Sequence, residues 1–201
     1  MTTSIFKNTI KIALLSTILA LPLVAVPELA LAKHHENGEQ HKSHQEMHEG
    51  MQHGEHHVFD MKNPRHAVER LLTGGQPSKS DFEHLRDNGY TTIINMRGEG
   101  EFDGFNEPEL VEEMGMSYIS IPIASSDDMS MENILKLDSA LKAADGRVLL
   151  HCGSGNRAGA MIALKAFRLE GMSEDEAMAL GIAAGMTSLE PTVRELIQTA
   201  E

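Results

Sequence analysis

The run Val148-Leu149-Leu150-His151-Cys152-Gly153-Ser154-Gly155-Asn156-Arg157-Ala158-Gly159 holds the strongest nucleophile in this chain. Cys152 is the only cysteine among 201 residues, so no internal disulfide can occupy it. An apolar strand stops at His151, two glycines let the backbone curl tightly, and a helix starts at or near Arg157. Such a turn aims backbone N–H groups inward at a helix N-terminus, making an anion cradle of Gly153, Ser154, Gly155, Asn156 and Arg157. The helix dipole and the Arg157 cation favour a thiolate, and thiols in such settings titrate at about 3.5–7.5 rather than about 8.5. The guanidinium also offers a planar fork to two oxygens of a phosphate- or sulfate-like group. Together these parts support attack by Cys152 on a tetrahedral centre whose equatorial oxygens are steadied by Arg157 and the loop amides. His151 is expected to order the loop by hydrogen bonding rather than to act as a base.

A reaction that expels an oxygen leaving group also needs a proton donor. Asp127 and Asp128, after the apolar segment ending at Ile123, are the candidates, each weighed against a plain helix-capping role. Arg97, at the end of another strand, could line the same pocket, although a structural ion pair is the simpler expectation for it.

The elements that must position these residues follow from hydrophobic periodicity and turn residues. Leu71-Leu72-Thr73 is a short strand ending at Gly74-Gly75-Gln76-Pro77. Ser78 or Ser80 caps a helix to about Asn88 with Phe82 and Leu85 inward. Tyr90 to Met96 is β-branched and apolar, a buried strand. A short helix spans 107–114 with Pro108 near its start. Ser117 to Ile123 alternates as a strand, and Met131 to Ala144 is a helix with Ile134, Leu135, Leu137 and Leu141 at core spacing. Arg147 to His151 is the strand that delivers Cys152, and helices follow from Arg157 to about Glu170, near 173–184 and near 191–200. Strands alternating with helices predict an α/β fold with a mostly parallel sheet covered on both faces, whose ligands sit at the carboxyl ends of the strands.

The ends and the overall charge set limits. Lys7 and Lys11, an apolar run from Ile12 to Val26 broken by Pro22, and Ala30-Leu31-Ala32 read as a signal peptide over 1–32 cleaved after Ala32. The expectation is a periplasmic or secreted protein with no stable membrane anchor after cleavage. Residues 33–57 carry eight of the 11 histidines and almost no aliphatic side chain. They read as a disordered arm, in which His34, His35, His56 and His57 are weak candidates for loose metal binding. Residues 58–201 form the folded domain. A formal charge of −13 with no basic patch argues against a nucleic-acid partner. The core chemistry calls for no metal or organic cofactor.

The motif His151-Cys152-x-x-Gly155-x-Arg157 resembles the signature loop of cysteine-dependent protein phosphatases. Those loops hold five residues between Cys and Arg, and here there are four, the spacing often seen in rhodanese-type sulfurtransferases. Gly74-Gly75-Gln76-Pro77, the segment Gly89 to Arg97, and Gly115 to Pro122 are similar to the phosphatase-like domain of the beta-lactamase-hydrolase-like family, over about residues 65–185. The resemblance implies a dual-specificity-phosphatase-like three-layer fold and a hydrolase working through a Cys152 phosphocysteine. The substrate would be a phosphorylated small molecule or a phosphoprotein. Ala158 departs from the Ser or Thr that phosphatases carry after the arginine, which implies slow turnover of that intermediate. A rhodanese-like sulfurtransferase with a Cys152 persulfide, fed by a small sulfur donor, stays open, as does a non-catalytic redox or metal-handling role. Nothing resembles a metallo-β-lactamase, since no His-x-His-x-Asp-His motif is present.

Overall fold

The computed structural model describes residues 59–199. The expected leader and the histidine-rich arm, with His34, His35, His56 and His57, lie outside the described residues.

Five strands form one sheet: β1 (Arg65–Val68), β2 (Leu71–Gly74), β3 (Tyr90–Asn95), β4 (Ser117–Ser120) and β5 (Arg147–His151). Their spatial order is β1-β2-β5-β3-β4, with β1 antiparallel to β2 and every other pairing parallel. β3 and β5 take the centre because their residues are apolar on both faces, as parallel strands between helical layers must be. β1 was not expected. Its Arg-His-Ala-Val sequence is largely exposed and carries no periodic signal, yet it pairs at the sheet edge.

Helices α1 (Lys79–Asp87) and α2 (Glu107–Glu113) cover one face, and α3 (Met131–Ala143), α4 (Asn156–Glu170), α5 (Glu174–Ala183) and α6 (Glu190–Gln198) belong to the other. Alternation along β3 and β5 divides the core accordingly. Ile93 and Leu149 pack with Phe82, Leu85 and Val111, whereas Ile94 and Leu150 pack with Leu137, Met161 and Ile162. With no tryptophan and few aromatics, methionines fill the gaps, among them the buried Met61, Met96, Met129, Met161 and Met186. The three-layer, mostly parallel architecture is the one the sequence predicts.

Local differences have local causes. Of the two serines, Ser78 caps α1, its hydroxyl accepting from the Asp81 N–H while Asp81 accepts from the Ser78 N–H. The strand expected to reach Ile123 stops at Ser120, because Pro122 has no N–H to give the ladder. The N–H groups of Ile121 and Ile123 nevertheless still bond β3 and its extension, at Asn95 O and Met96 O. Leu135, expected in the core, is 47% exposed, since α3 turns Ile134, Leu137 and Ala140 inward instead.

Candidate active site

Cys152 lies one residue beyond β5, and its own N–H donates to Gly74 O at the end of β2. It is 1% exposed. Its Sγ accepts a hydrogen bond from the Gly155 N–H at 3.2 Å, so the loop closes on the sulfur. Gly155 achieves this with a φ of +87°, a left-handed conformation that strains any residue carrying a Cβ, and it serves as N-cap of α4. The first N–H groups of α4, which follow Gly155, have no intrahelical acceptor.

The loop is fastened on two sides. Gly75, just past β2, bridges to Ser154. The Asn156 side chain accepts from the Thr187 N–H at 2.8 Å and donates to Ser188 Oγ at 2.8 Å, tying the loop to the α5–α6 connection. The sequence places Asn156 in the anion cradle, but its side chain is spent on this tie, which leaves its backbone N–H to the cradle. Gly153 and Ser154 are exposed at the mouth.

Arg157 reaches back across the loop. Its Nη1 donates to Ile123 O at 2.9 Å and Met96 O at 3.3 Å, which fixes the fork over the ends of β3 and β4. Both terminal nitrogens also grip Glu101, Nη1 to Oε1 at 2.8 Å and Nη2 to Oε2 at 2.6 Å. The bond from Arg157, helped by the Gly98 N–H, holds the Glu101 carboxyl at about 2. Arg157 is shifted upward in return, by Glu101 first and by the neighbouring Cys152 as well, against the opposing effect of burial. The sequence reading missed Glu101, which sits in an aperiodic Gly-Glu-Gly-Glu loop that offers no signal for it.

His151 is fully buried on the other face of the sheet, its Nε2 at 2.9 Å from Glu107 Oε1. Burial would raise the Glu107 carboxyl, but the His151 hydrogen bond and charge, Gln76 and Arg97 outweigh it and leave it lowered. With a carboxylate as partner, Nε2 carries the proton, and Nδ1 has no partner among the described residues. Glu107 Oε2 accepts from Gln76 Nε2 at 2.7 Å, and Gln76 Oε1 in turn accepts from Arg97 Nη1. The chain Arg97–Gln76–Glu107–His151 thus braces the base of the Cys152 loop, and Arg97 is a buried member of it. The Gln76-Pro77 turn stood out in the sequence; its link to Glu107 did not.

Asp127 and Asp128 lie on a 3-10 turn at Ser126–Asp128. Asp128 Oδ2 accepts from the N–H groups of Ser125 and Ala124, both at 2.9 Å, and these bonds lower its carboxyl. It is a capping residue of that turn. Asp127 is exposed.

This arrangement has relatives. The family model described as "DSP-PTPase phosphatase fused to NAD+ Kinase" matches residues 40–197. The chain belongs to that family. It is 33% identical over 123 residues to the beta-lactamase hydrolase-like protein of Xylella fastidiosa and 35% identical over 94 residues to that of Agrobacterium fabrum. These matches cover 58% and 45% of this chain but only 28% and 22% of those proteins, so the chain spans less than a third of either. Among solved structures, a putative phosphatase of Neisseria meningitidis aligns over 68% of this chain and 97% of its own, with 26% identity and a TM-score of 0.56. A putative phosphatase (DUF442) of Shewanella putrefaciens aligns over 69% and 88%, with 22% identity and a TM-score of 0.55, a likeness of fold. A phosphatase-like fold of the dual-specificity and tyrosine phosphatase type is therefore the frame in which Cys152 sits.

Proposed function

We propose that this chain is a cysteine-dependent hydrolase that removes a phosphoryl group through a Cys152 phosphocysteine. The observation that carries the reading is the closed loop at the end of β5, with Sγ held by the Gly155 N–H and Arg157 lying across it. In the first step the Cys152 thiolate attacks phosphorus and the bond to the leaving oxygen breaks. Asp127 gives that oxygen its proton, since Asp128 is occupied by amides of its own turn. Water then attacks the phosphocysteine, Asp127 takes the proton, and phosphate leaves with the thiolate restored. Arg157 and the loop N–H groups stabilise the charge on the equatorial oxygens in both steps. Residues 1–32 direct export with cleavage after Ala32, a reading supported by their charged start, apolar run and small-x-small end.

A second reading is sulfur transfer, in which Cys152 takes the outer sulfur of thiosulfate, releases sulfite and passes the sulfur to an acceptor thiophile. Two features favour it: the four-residue spacing from Cys152 to Arg157, and a buried Ala158 where a hydroxyl would assist hydrolysis. The deciding experiment gives the reduced protein an aryl phosphate and, separately, thiosulfate with cyanide, using Cys152→Ser as control in each. Phosphate release that disappears in the variant is expected. Thiocyanate production without phosphate release would overturn the hydrolase in favour of the second reading.

A further inference from the structure

A polar cavity of about 360 Å³ opens at the carboxyl ends of β3 and β4. Asn95, Arg97, Phe102 and Tyr118 contribute to its wall, together with the carboxylates of Glu99 and Glu107. Asn95 and His151 lie side by side in the β3–β5 register on the α2 side of the sheet, whereas the Cys152 sulfur packs toward α4. The cavity is therefore separated from the sulfur by the width of the β3 backbone. The link between them is short: Met96 O accepts from Arg157, and the next residue is Arg97.

Arg97 is 7% exposed, a buried cation. Its Nη1 serves Gln76 and stands 4.0 Å from Glu107 Oε2, and its guanidinium lies 4.6 Å from the Phe102 ring centroid. Nε and Nη2 donate to nothing among the described residues. Neither nitrogen is a fully buried atom without a partner, and Arg97 forms part of the cavity wall. Glu107, also in the wall and 4.0 Å from Arg97 Nη1, offsets part of this cation, while its Oε1 pairs with His151 and its Oε2 with Gln76. Tyr118 Oη accepts from Asn95 Nδ2 at 2.9 Å, which leaves its own O–H free to donate. Burial raises the Tyr118 phenol, keeping that proton in place. Arg97 and Tyr118 therefore keep unfilled donors, the complement of an oxyanion, in a wall that also carries the exposed Glu99 carboxylate.

We propose that this cavity is a second oxyanion subsite, in which Arg97 and Tyr118 hold a carboxylate or phosphate that the substrate carries at a distance from its reacting group. The substrate class is thereby narrowed to phosphorylated molecules bearing at least two anionic groups, a refinement that rests on the hydrolase reading. Phe102 packs its ring against the Arg97 guanidinium.

Two measurements on the full chain separate this proposal from the reading beneath it. The first titrates inorganic phosphate by calorimetry into the Cys152→Ser protein, which needs no catalysis. Two binding events are expected, of which Arg97→Gln loses one and Tyr118→Phe weakens the same one. A single event in the parent, or two events in both variants, overturns the subsite. Tyr118→Phe removes one oxygen from a half-buried ring and so keeps the test open if Arg97→Gln fails to fold. The second compares KM for plain phenyl phosphate with KM for phenyl phosphates carrying a carboxylate on linkers of increasing length. A charge-assisted bond predicts that the best linker lowers KM about tenfold or more, and that Tyr118→Phe shrinks the ratio. No advantage at any length overturns the subsite while leaving the hydrolase standing. If no phosphate is hydrolysed at all, the hydrolase fails and the calorimetric count still decides the subsite.

Discussion

Arg157 meets a carboxylate before it meets any substrate. Glu101 accepts a bond from each terminal nitrogen of the fork, so an incoming oxyanion competes with it. Arg157 keeps its orientation without Glu101, because Nη1 is also held by Ile123 O and Met96 O. Glu101→Gln is therefore expected to tighten vanadate or phosphate binding, by a factor of about two to five for a partly exposed pair. Equilibrium titration of both proteins checks it, and weaker binding in the variant would mean that Glu101 positions the fork rather than guards it. The same pair has a pH signature. Its carboxyl sits at about 2 in the fold against 4.5 for the free side chain, so the fold binds the proton less well than the unfolded chain does. The resulting stability is present above about 4.5 and drains away as pH falls toward about 2. Urea unfolding from pH 6 to pH 2 should show wild type and Glu101→Gln converging at the acid end. Neither effect was legible in the sequence, where Glu101 is one acid in a loop without period. The nucleophile, the arginine and the glycine turn were legible because each is forced by its chemistry onto a strand–helix junction.

At the scale of elements, the precision of the site comes from how α4 is seated. Gly159, one turn into α4, lies against Gly181 of α5 and the turn after it. A Cβ built at Gly159 would stand 2.6 Å from Gly181 O and closer still to Met186 N. Backbone atoms cannot yield as a side chain can, so Gly159→Ala must push α4 away from α5. Because α4 carries Arg157 at its start, that shift reaches the anion loop. The expected cost is at least about 1–3 kcal/mol of stability, accompanied by a loss of kcat/KM, measured by denaturant unfolding and steady-state kinetics on the same preparation. Retained stability would mean that the two helices slide without strain. The elements themselves were readable where one period dominates. β3 and β5 have β-branched and aliphatic hearts, α1 has a capping serine, and α3 and α4 repeat apolar residues at helical spacing. β1 was not readable, because an exposed edge strand needs only backbone pairing. Leu135 misled because a broad apolar stripe does not say which of its margins meets the core.

For the molecule as a whole, the question is where the folding unit begins. The sequence drew the boundary at 58, on the shift from a histidine-rich segment to regular periodicity. The packing supplies a physical reason for a limit close by. Met61 is buried in the α1–α2 layer, and the fully buried Asp81 carboxylate accepts from the N–H groups of Asp60 and Met61 at 3.0 and 3.1 Å. Asn63 Nδ2 donates to Gly185 O at 3.1 Å, in the turn that follows α5 and lies beside Gly155. Residues 60–63 thus close both the capping box of α1 and the back of the anion loop. A chain starting at residue 58 should keep the unfolding midpoint and activity of the longer protein. A chain starting at residue 64 strips Asp81 of two donors, and loss of partners around a buried charge costs on the order of 3–5 kcal/mol. Thermal unfolding of the two truncations separates these cases. Equal midpoints would mean that the 60–63 segment merely rests on the fold, whereas a large drop confined to the shorter chain would make it part of the machinery that holds Cys152 in place.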